Sequence, residues 1–257
     1  MSGWLAPEAA ADAATAPVVL QELEDGIVEI GMRDAPGCNA MTPAWVHAFV
    51  AALTAAGAHP TAKVVLLTGL TDHFCSGASR ETLADLAAGR LAPTELTLAR
   101  DVLAHPLPFV AAAEGHAIGG GLALLAACDL AVIARDARYG ATFMNLGITP
   151  GMGMTVLLET VLGRPLAHEL LFTGDVRRGA TFIPGVHFNA VLPRAAVRGH
   201  ALLLARALAE KPRESLRQLK AALAAPRVAA VEAALGREAQ MHAATLPYLD
   251  VTQWGAP

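Results

Sequence analysis

Two short apolar segments of the sequence are each followed by a turn of small residues and then by a helical pattern. The first is KVVLLT at Lys63–Thr68, which is followed in the sequence by the turn HFCSGAS at His73–Ser79. The second is PFVAAA at Pro108–Ala113, with the turn GHAIGGG at Gly115–Gly121 behind it. Short apolar runs of this kind are typical of buried strands. Strands that alternate with helices predict an α/β fold.

The rest of the chain fits the same class. The other predicted elements are a β-hairpin over Val18–Met32 that turns at Asp25-Gly26, a helix over Thr42–Ala56 with Thr42 as its N-cap, a helix over Arg80–Ala88, a helix from the glycine run to Ala127, and a strand over Leu130–Ala134. Beyond Gly153 the pattern is mostly helical to Leu246. We expect a flexible tail at 1–16, a core at 17–193 and a helical C-terminal region at 194–257.

Composition excludes several classes of protein. Hydrophobic residues make up 54% of the 257 residues and charged residues 16%, which excludes a disordered chain and a coiled coil. The net charge of −4 argues against a nucleic-acid partner. Three widely spaced cysteines without a CxxC pair predict no disulfide framework and no metal site. The longest uncharged run is broken by glycines, so we expect no membrane partner and a cytoplasmic location.

Positive charge is concentrated near the C-terminus. Between Arg194 and Arg237 nine basic residues face three acidic ones, a net charge of +6 on a chain that is acidic elsewhere. Such a segment favours an anionic partner. Arg213, Arg217 and Lys220 lie at helical spacing and are candidates to contact a phosphate or an acidic carrier protein. A solvated helix face explains the same pattern.

The two glycine-bearing turns are candidates for a catalytic site. Each opens a helix, where backbone N–H groups lack partners and the helix dipole adds positive potential. Two such groups that converge on one point would form an oxyanion hole, and small residues would let a thioester approach the backbone. Turns without function, or a nucleotide site, are the alternatives. The GxGxxG pattern of a nucleotide site is not matched.

The two turns together resemble the crotonase (enoyl-CoA hydratase/isomerase) superfamily. Three segments are similar to that family: Ala16–Trp45, Gly115–Gly153, and LLFTGDVRRGATF at Leu170–Phe182. The resemblance implies a spiral of ββα units and a thioester carried on coenzyme A or phosphopantetheine, with no other cofactor. It also implies a homotrimer or a dimer of trimers, and it puts the oxyanion N–H groups on Ala78 and Gly120.

The sequence departs from the hydratases of this family at two positions. Ala123 and Phe143 stand where the resemblance implies two glutamates that activate water. Neither residue can transfer a proton, so we do not expect hydration. Decarboxylation needs an oxyanion hole and a late proton donor but no activated water.

Local strings resemble the decarboxylating branch found in polyketide β-branching cassettes. They are CSGASRE at Cys75–Glu81, MNLGITPGMG at Met144–Gly153, KPRESL at Lys211–Leu216 and MH at Met241-His242. That branch acts on 3-methylglutaconyl-acyl carrier protein. The resemblance assigns a functional histidine to His242, whereas Arg80 stands at the position of a lysine. Arginine can still hold a carboxylate but cannot give up a proton. We expect a decarboxylase that works through a dienolate, with an enoyl-thioester isomerase or a non-catalytic thioester-binding protein as alternatives.

Overall fold

The computed structural model describes residues 16–24, 26–92 and 96–249. The predicted tail therefore lies outside the described residues except for Ala16. The helices are α1 (Pro43–Ala58), α2 (Arg80–Ala87), α3 (Leu98–Ala104), α4 (Gly120–Ala127), α5 (Met154–Thr173), α6 (Arg194–Ala209) and α7 (Arg213–Thr245). The strands are β1 (Val18–Glu24), β2 (Ile27–Met32), β3 (Ala40–Met41), β4 (Val64–Thr68), β5 (His73–Cys75), β6 (Gly77–Ala78), β7 (Phe109–Ala113), β8 (His116–Ile118), β9 (Leu130–Ala134), β10 (Arg138–Gly140), β11 (Val176–Arg178) and β12 (Ala190–Leu192).

A six-stranded sheet in the order β1-β2-β4-β7-β9-β12 forms the centre of the fold. Only the β1–β2 pair in this sheet is antiparallel, which confirms the predicted hairpin. The strands from β2 to β12 run parallel. All residues of β2, β4 and β7 are buried, as expected for parallel strands covered on both faces.

A repeated ββα unit joins this sheet to a second one. After β4, β7 and β9 the chain adds one strand each, β5, β8 and β10, to a four-stranded sheet in the order β11-β10-β8-β5. Helices α2, α4 and α5 then follow these three strand pairs in turn. The predicted spiral of ββα units is therefore confirmed. Strands β5 and β8 lie within the two glycine-bearing turns and pair with each other, so the two turns are adjacent.

The C-terminal region contains the predicted helices and packs on the core. Helix α6 contacts β4, β7 and β9, and Arg198 of α6 forms an ion pair with the buried Glu29 of β2. Helix α7 has 33 residues and packs on α3 and α5. The part of the chain that follows Gly153 is less helical than predicted, because strands β11 and β12 lie between its helices. None of the described helices is both long and apolar enough to cross a membrane.

Candidate active site

The two glycine-bearing turns touch each other at Gly77. This residue has a φ of +85°, and a Cβ added to it would lie 2.7 Å from the backbone oxygen of Ile118 and 3.1 Å from the nitrogen of Gly120. A side chain at this position would therefore collide with the second turn. Glycine is required here for both its conformation and its close approach.

Helix α4 begins directly against the first turn. A Cβ on Gly121 would lie 2.1 Å from the backbone oxygen of Cys75, so the helix can approach β5 only because this residue is glycine. Gly120 is the first residue of α4, and its N–H therefore has no acceptor within the helix. Ala78 ends β6, and Ser79 behind it caps α2 by accepting a hydrogen bond from the Thr82 N–H. Both predicted oxyanion positions thus lie where a helix starts.

Both positions open into one cavity that is partly open to solvent. Its wall is mostly apolar. The cavity is lined by Ser76, Gly77, Ala78, Leu83, Leu86, Leu96, Gly119, Gly120, Thr142, Phe143, Leu146, Ile148, Thr149, Gly151, Met152 and His242. Among these described residues His242 is the one titratable side chain, and no carboxylate is present. Phe143 therefore lines the cavity where the resemblance implied a glutamate, and Ala123 is buried in the core.

The imidazole of His242 is held by the loop in front of α5. His242 lies on α7 with 7% of its surface exposed, and its Nε2 is 2.9 Å from the backbone oxygen of Thr149. A carbonyl oxygen can only accept, so Nε2 is the donor in this hydrogen bond. In the neutral imidazole Nδ1 then carries no hydrogen. Nδ1 is buried and has no hydrogen-bond partner among the described residues.

A buried glutamate fixes this part of α7. Glu238 lies one helical turn before His242 and is 1% exposed. Its carboxylate accepts hydrogen bonds from the N–H of Gly153 at 2.8 Å, the N–H of Thr155 at 3.0 Å and the hydroxyl of Thr155 at 2.7 Å. A Cβ on Gly153 would lie 2.7 Å from Val231 of α7. The start of α5 is therefore bonded to and packed against the helix that carries His242.

Comparison with known proteins agrees with this geometry. A family model described as enoyl-CoA hydratase/isomerase matches residues 22–253. The chain belongs to this family. Bacillaene synthase decarboxylase PksI of Bacillus subtilis (strain 168) is 37% identical over 235 residues, which are 91% of this chain and 94% of PksI.

Solved structures of this family superpose closely on the chain. One is from a dehydratase/decarboxylase enzyme couple involved in polyketide β-branching. It has a TM-score of 0.86 at 37% identity and covers 90% of this chain and 94% of that one. Another is the ECH2 decarboxylase domain of CurF from Lyngbya majuscula. It has a TM-score of 0.85 at 33% identity and covers 92% of this chain and 97% of that one.

The predicted site residues of this family member fall into two groups. Ala78, Gly120 and His242 line one cavity. Arg80 is the first residue of α2, is exposed, and is not part of the cavity wall. Thr149 and Glu238 were not predicted. The sequence does show a charged residue, Glu238, four positions before His242. It does not show that this residue is buried, and burial is what would have marked it as functional.

The three predicted phosphate-binding residues lie away from the cavity wall, and the prediction for Lys220 is corrected. Its side chain is buried, and its Nζ lies 2.9 and 2.8 Å from the two carboxylate oxygens of Asp129. This ammonium group is already neutralised inside the protein. Arg213 donates hydrogen bonds to the backbone oxygens of Ala62 and His59 and so anchors α7. Arg217 is half-buried on the same helix.

The cysteine beside the site is not a nucleophile. Cys75 is fully buried, and burial raises the pKa of its thiol to about 12. Its Sγ donates to the backbone oxygen of Asn39. A thiol with such a pKa remains protonated near neutral pH. Among the described residues no group of three or more His, Cys, Asp or Glu side chains could hold a metal ion.

Proposed function

We propose that the protein is a lyase that decarboxylates a 3-methylglutaconyl-type thioester carried by an acyl carrier protein. The observation that carries this proposal is the cavity wall. It combines two helix-start turns with a single titratable side chain and no carboxylate among the described lining residues. The likeness to PksI, named as a decarboxylase, supports the proposal. The name of the β-branching enzyme couple supports it as well.

The reaction is a transfer of an electron pair toward the thioester oxygen. The bond between C4 and the C5 carboxylate breaks and CO₂ leaves. The electron pair of that bond stays with C4 and enters a dienolate whose negative charge is concentrated on the thioester oxygen. The N–H groups of Ala78 and Gly120 donate hydrogen bonds to that oxygen. One donor of this kind typically stabilises the transition state by about 3–4 kcal/mol.

The dienolate must then take up one proton. His242 is the titratable side chain of the described cavity wall that can supply it. Because Nε2 is engaged with the Thr149 carbonyl, the transferable proton is carried on Nδ1 of the imidazolium. Transfer to carbon leaves the neutral imidazole with its Nε2–H bond intact. Solvent then restores the proton.

The partners follow from the substrate. The acyl group is carried on the phosphopantetheine of an acyl carrier protein, or on coenzyme A, and no resident cofactor is required. The basic C-terminal segment remains a candidate surface for the carrier, and half-buried Arg217 is one of its members. Assembly as a homotrimer or a dimer of trimers and a cytoplasmic location remain predictions. Analytical ultracentrifugation tests the former.

Intact mass spectrometry of an acyl carrier protein loaded with 3-methylglutaconyl tests the activity. We expect the wild type to remove one CO₂ from the loaded carrier. His242→Ala should slow this loss by about 100-fold or more, as is typical when a general acid is removed. His47→Ala is the matched control, because His47 is exposed on α1. Unchanged mass in the wild type would refute the proposal, and NMR of the acyl group would then detect an isomerase by a moved double bond.

A further inference from the structure

We propose that the Thr149 hydroxyl binds the substrate carboxylate that leaves as CO₂. This inference rests on the proposed function and adds to it a specificity-determining residue. Thr149 lines the cavity, and its backbone oxygen already holds His242. The ligand group it would take is the free carboxylate at the end of the acyl chain.

The argument begins with buried polar atoms that have no partner. Among the described residues the unpaired side-chain atoms are Trp45 Nε1, Thr149 Oγ1, Arg194 Nε, Arg227 Nε and His242 Nδ1. Only the Thr149 and His242 atoms belong to residues of the cavity wall. Such atoms are uncommon because leaving them unpaired costs free energy. Thr149 Oγ1 and His242 Nδ1 lie on directly bonded residues, and the proposal is that the substrate completes the hydrogen bonding of the Thr149 hydroxyl.

The chemistry of the Thr149 hydroxyl fits a carboxylate. A carboxylate only accepts hydrogen bonds, so it needs donors. The Thr149 hydroxyl can donate to it, and the proton on Nδ1 of His242 is then left for the dienolate. No Lys or Arg is among the described residues of the cavity wall, and Arg80 is exposed outside it. Ser76 and Thr142 also carry hydroxyls in this wall, but Thr149 is the one whose backbone holds His242, and the carboxylate is assigned to it on that ground.

A neutral donor also suits the reaction. Negative charge leaves the carboxylate as CO₂ forms and moves to the thioester oxygen. A fixed cation at the carboxylate would stabilise the ground state more than the transition state, which slows the reaction. A hydroxyl orients the carboxylate with a weaker hold on its charge.

Binding of two non-reacting thioesters tests the inference. 3-Methylglutaryl-pantetheine carries the carboxylate but has no double bond to accept the electron pair, and 3-methylbutyryl-pantetheine has no carboxylate. By titration calorimetry we expect Thr149→Val to weaken 3-methylglutaryl binding by about tenfold or more, since the lost hydrogen bond is to a charged group. Binding of 3-methylbutyryl should stay within about twofold of wild type. Thr149→Ser should restore most of the affinity for the carboxylate.

The control is Thr160→Val, which removes an exposed hydroxyl of α5 that bonds only its own helix. It should change neither affinity. Equal binding of the carboxylate by Thr149→Val and wild type would overturn the inference. Equal weakening of both thioesters would overturn it too, because that result indicates a structural role. An Arg80→Gln variant that loses the preference for the carboxylate, with Thr149→Val unchanged, would assign the carboxylate to Arg80. The proposed function fails separately, if wild type leaves 3-methylglutaconyl carrier protein unchanged.

Discussion

Replacing Glu238 by glutamine should weaken both the fold and catalysis. The carboxylate accepts two backbone N–H groups, from Gly153 and Thr155, and the Thr155 hydroxyl. Glutamine keeps the shape but replaces one oxygen by an NH₂ group, which cannot accept. One buried N–H at the start of α5 is then left without a partner, whichever way the amide turns.

The size of the loss follows from these contacts. A buried donor without a partner costs about 1–3 kcal/mol. Loss of a negative charge near a helix N-terminus adds about 0.3–1 kcal/mol. We expect a total near 2–3 kcal/mol in the free energy of unfolding. For a chain of this size, that lowers the melting midpoint by about 4–12 °C.

Urea unfolding measures the first effect, and CO₂ release from loaded carrier protein measures the second. Because His242 lies on the next turn of α7, a shift of about 1 Å there can lower kcat by about 100-fold. Glu232→Gln on an exposed face of α7 is the matched control and should stay within about 0.5 kcal/mol of wild type. If Glu238→Gln unfolds like this control and keeps wild-type kcat, the bonded α5–α7 contact does not position His242.

Three further substitutions test the site and its support. Gly121→Ala puts a Cβ 2.1 Å from a backbone oxygen of β5, so α4 must move, and we expect kcat for CO₂ release to fall by about 100-fold; wild-type kcat would refute the close approach. Lys220→Met leaves Asp129 without its buried cation and should lower the free energy of unfolding in urea by about 3 kcal/mol; no change would mean that the pair contributes nothing. Arg198→Met tests the pH dependence of stability. Burial alone would raise the pKa of Glu29, but its hydrogen bonds, of which the one from Arg198 has the largest effect, hold that pKa below its ordinary value. A lowered pKa of Glu29 stabilises the fold above the pKa of the unfolded chain, and this stability is lost as pH falls through the pKa of the folded protein. The free energies of unfolding of variant and wild type should therefore differ most above about pH 5 and least in acid. A difference that does not change with pH would contradict this.

Sequence reasoning succeeded where the signal is local. The hairpin that turns at Gly26, the N-cap at Thr42 and the helix that starts after Gly119 were all predicted from neighbouring residues. Each is set by a turn, a cap or an apolar run of a few residues. The pairing of Ala78 with Gly120 was implied only by the family resemblance, and in the structure the two turns meet because β5 pairs with β8.

The missed features depend on partners distant in the sequence. Strand β12 has three residues, and only its pairing with β9 makes it a strand. Lys220 looked like a surface charge because its partner Asp129 is 91 residues away. Glu238 and Thr149 are ordinary residues for a helix and a loop. Their contacts between α7 and the segment before and at the start of α5 give them a role, and those contacts depend on how α7 packs on α5.

The placement of His242 divides the site into two parts with different origins. The glycine-bearing turns are backbone features of the central ββα units, and the proposed oxyanion hole does not depend on side-chain identity there beyond small size. His242, the titratable side chain of the described cavity wall, lies on α7, a separate helix near the C-terminus. Under the proposed function, variation in α7 would change which carbon receives a proton, or whether any does, while the glycine-bearing turns remain intact. A fold arranged in this way can acquire new reactions by altering one helix.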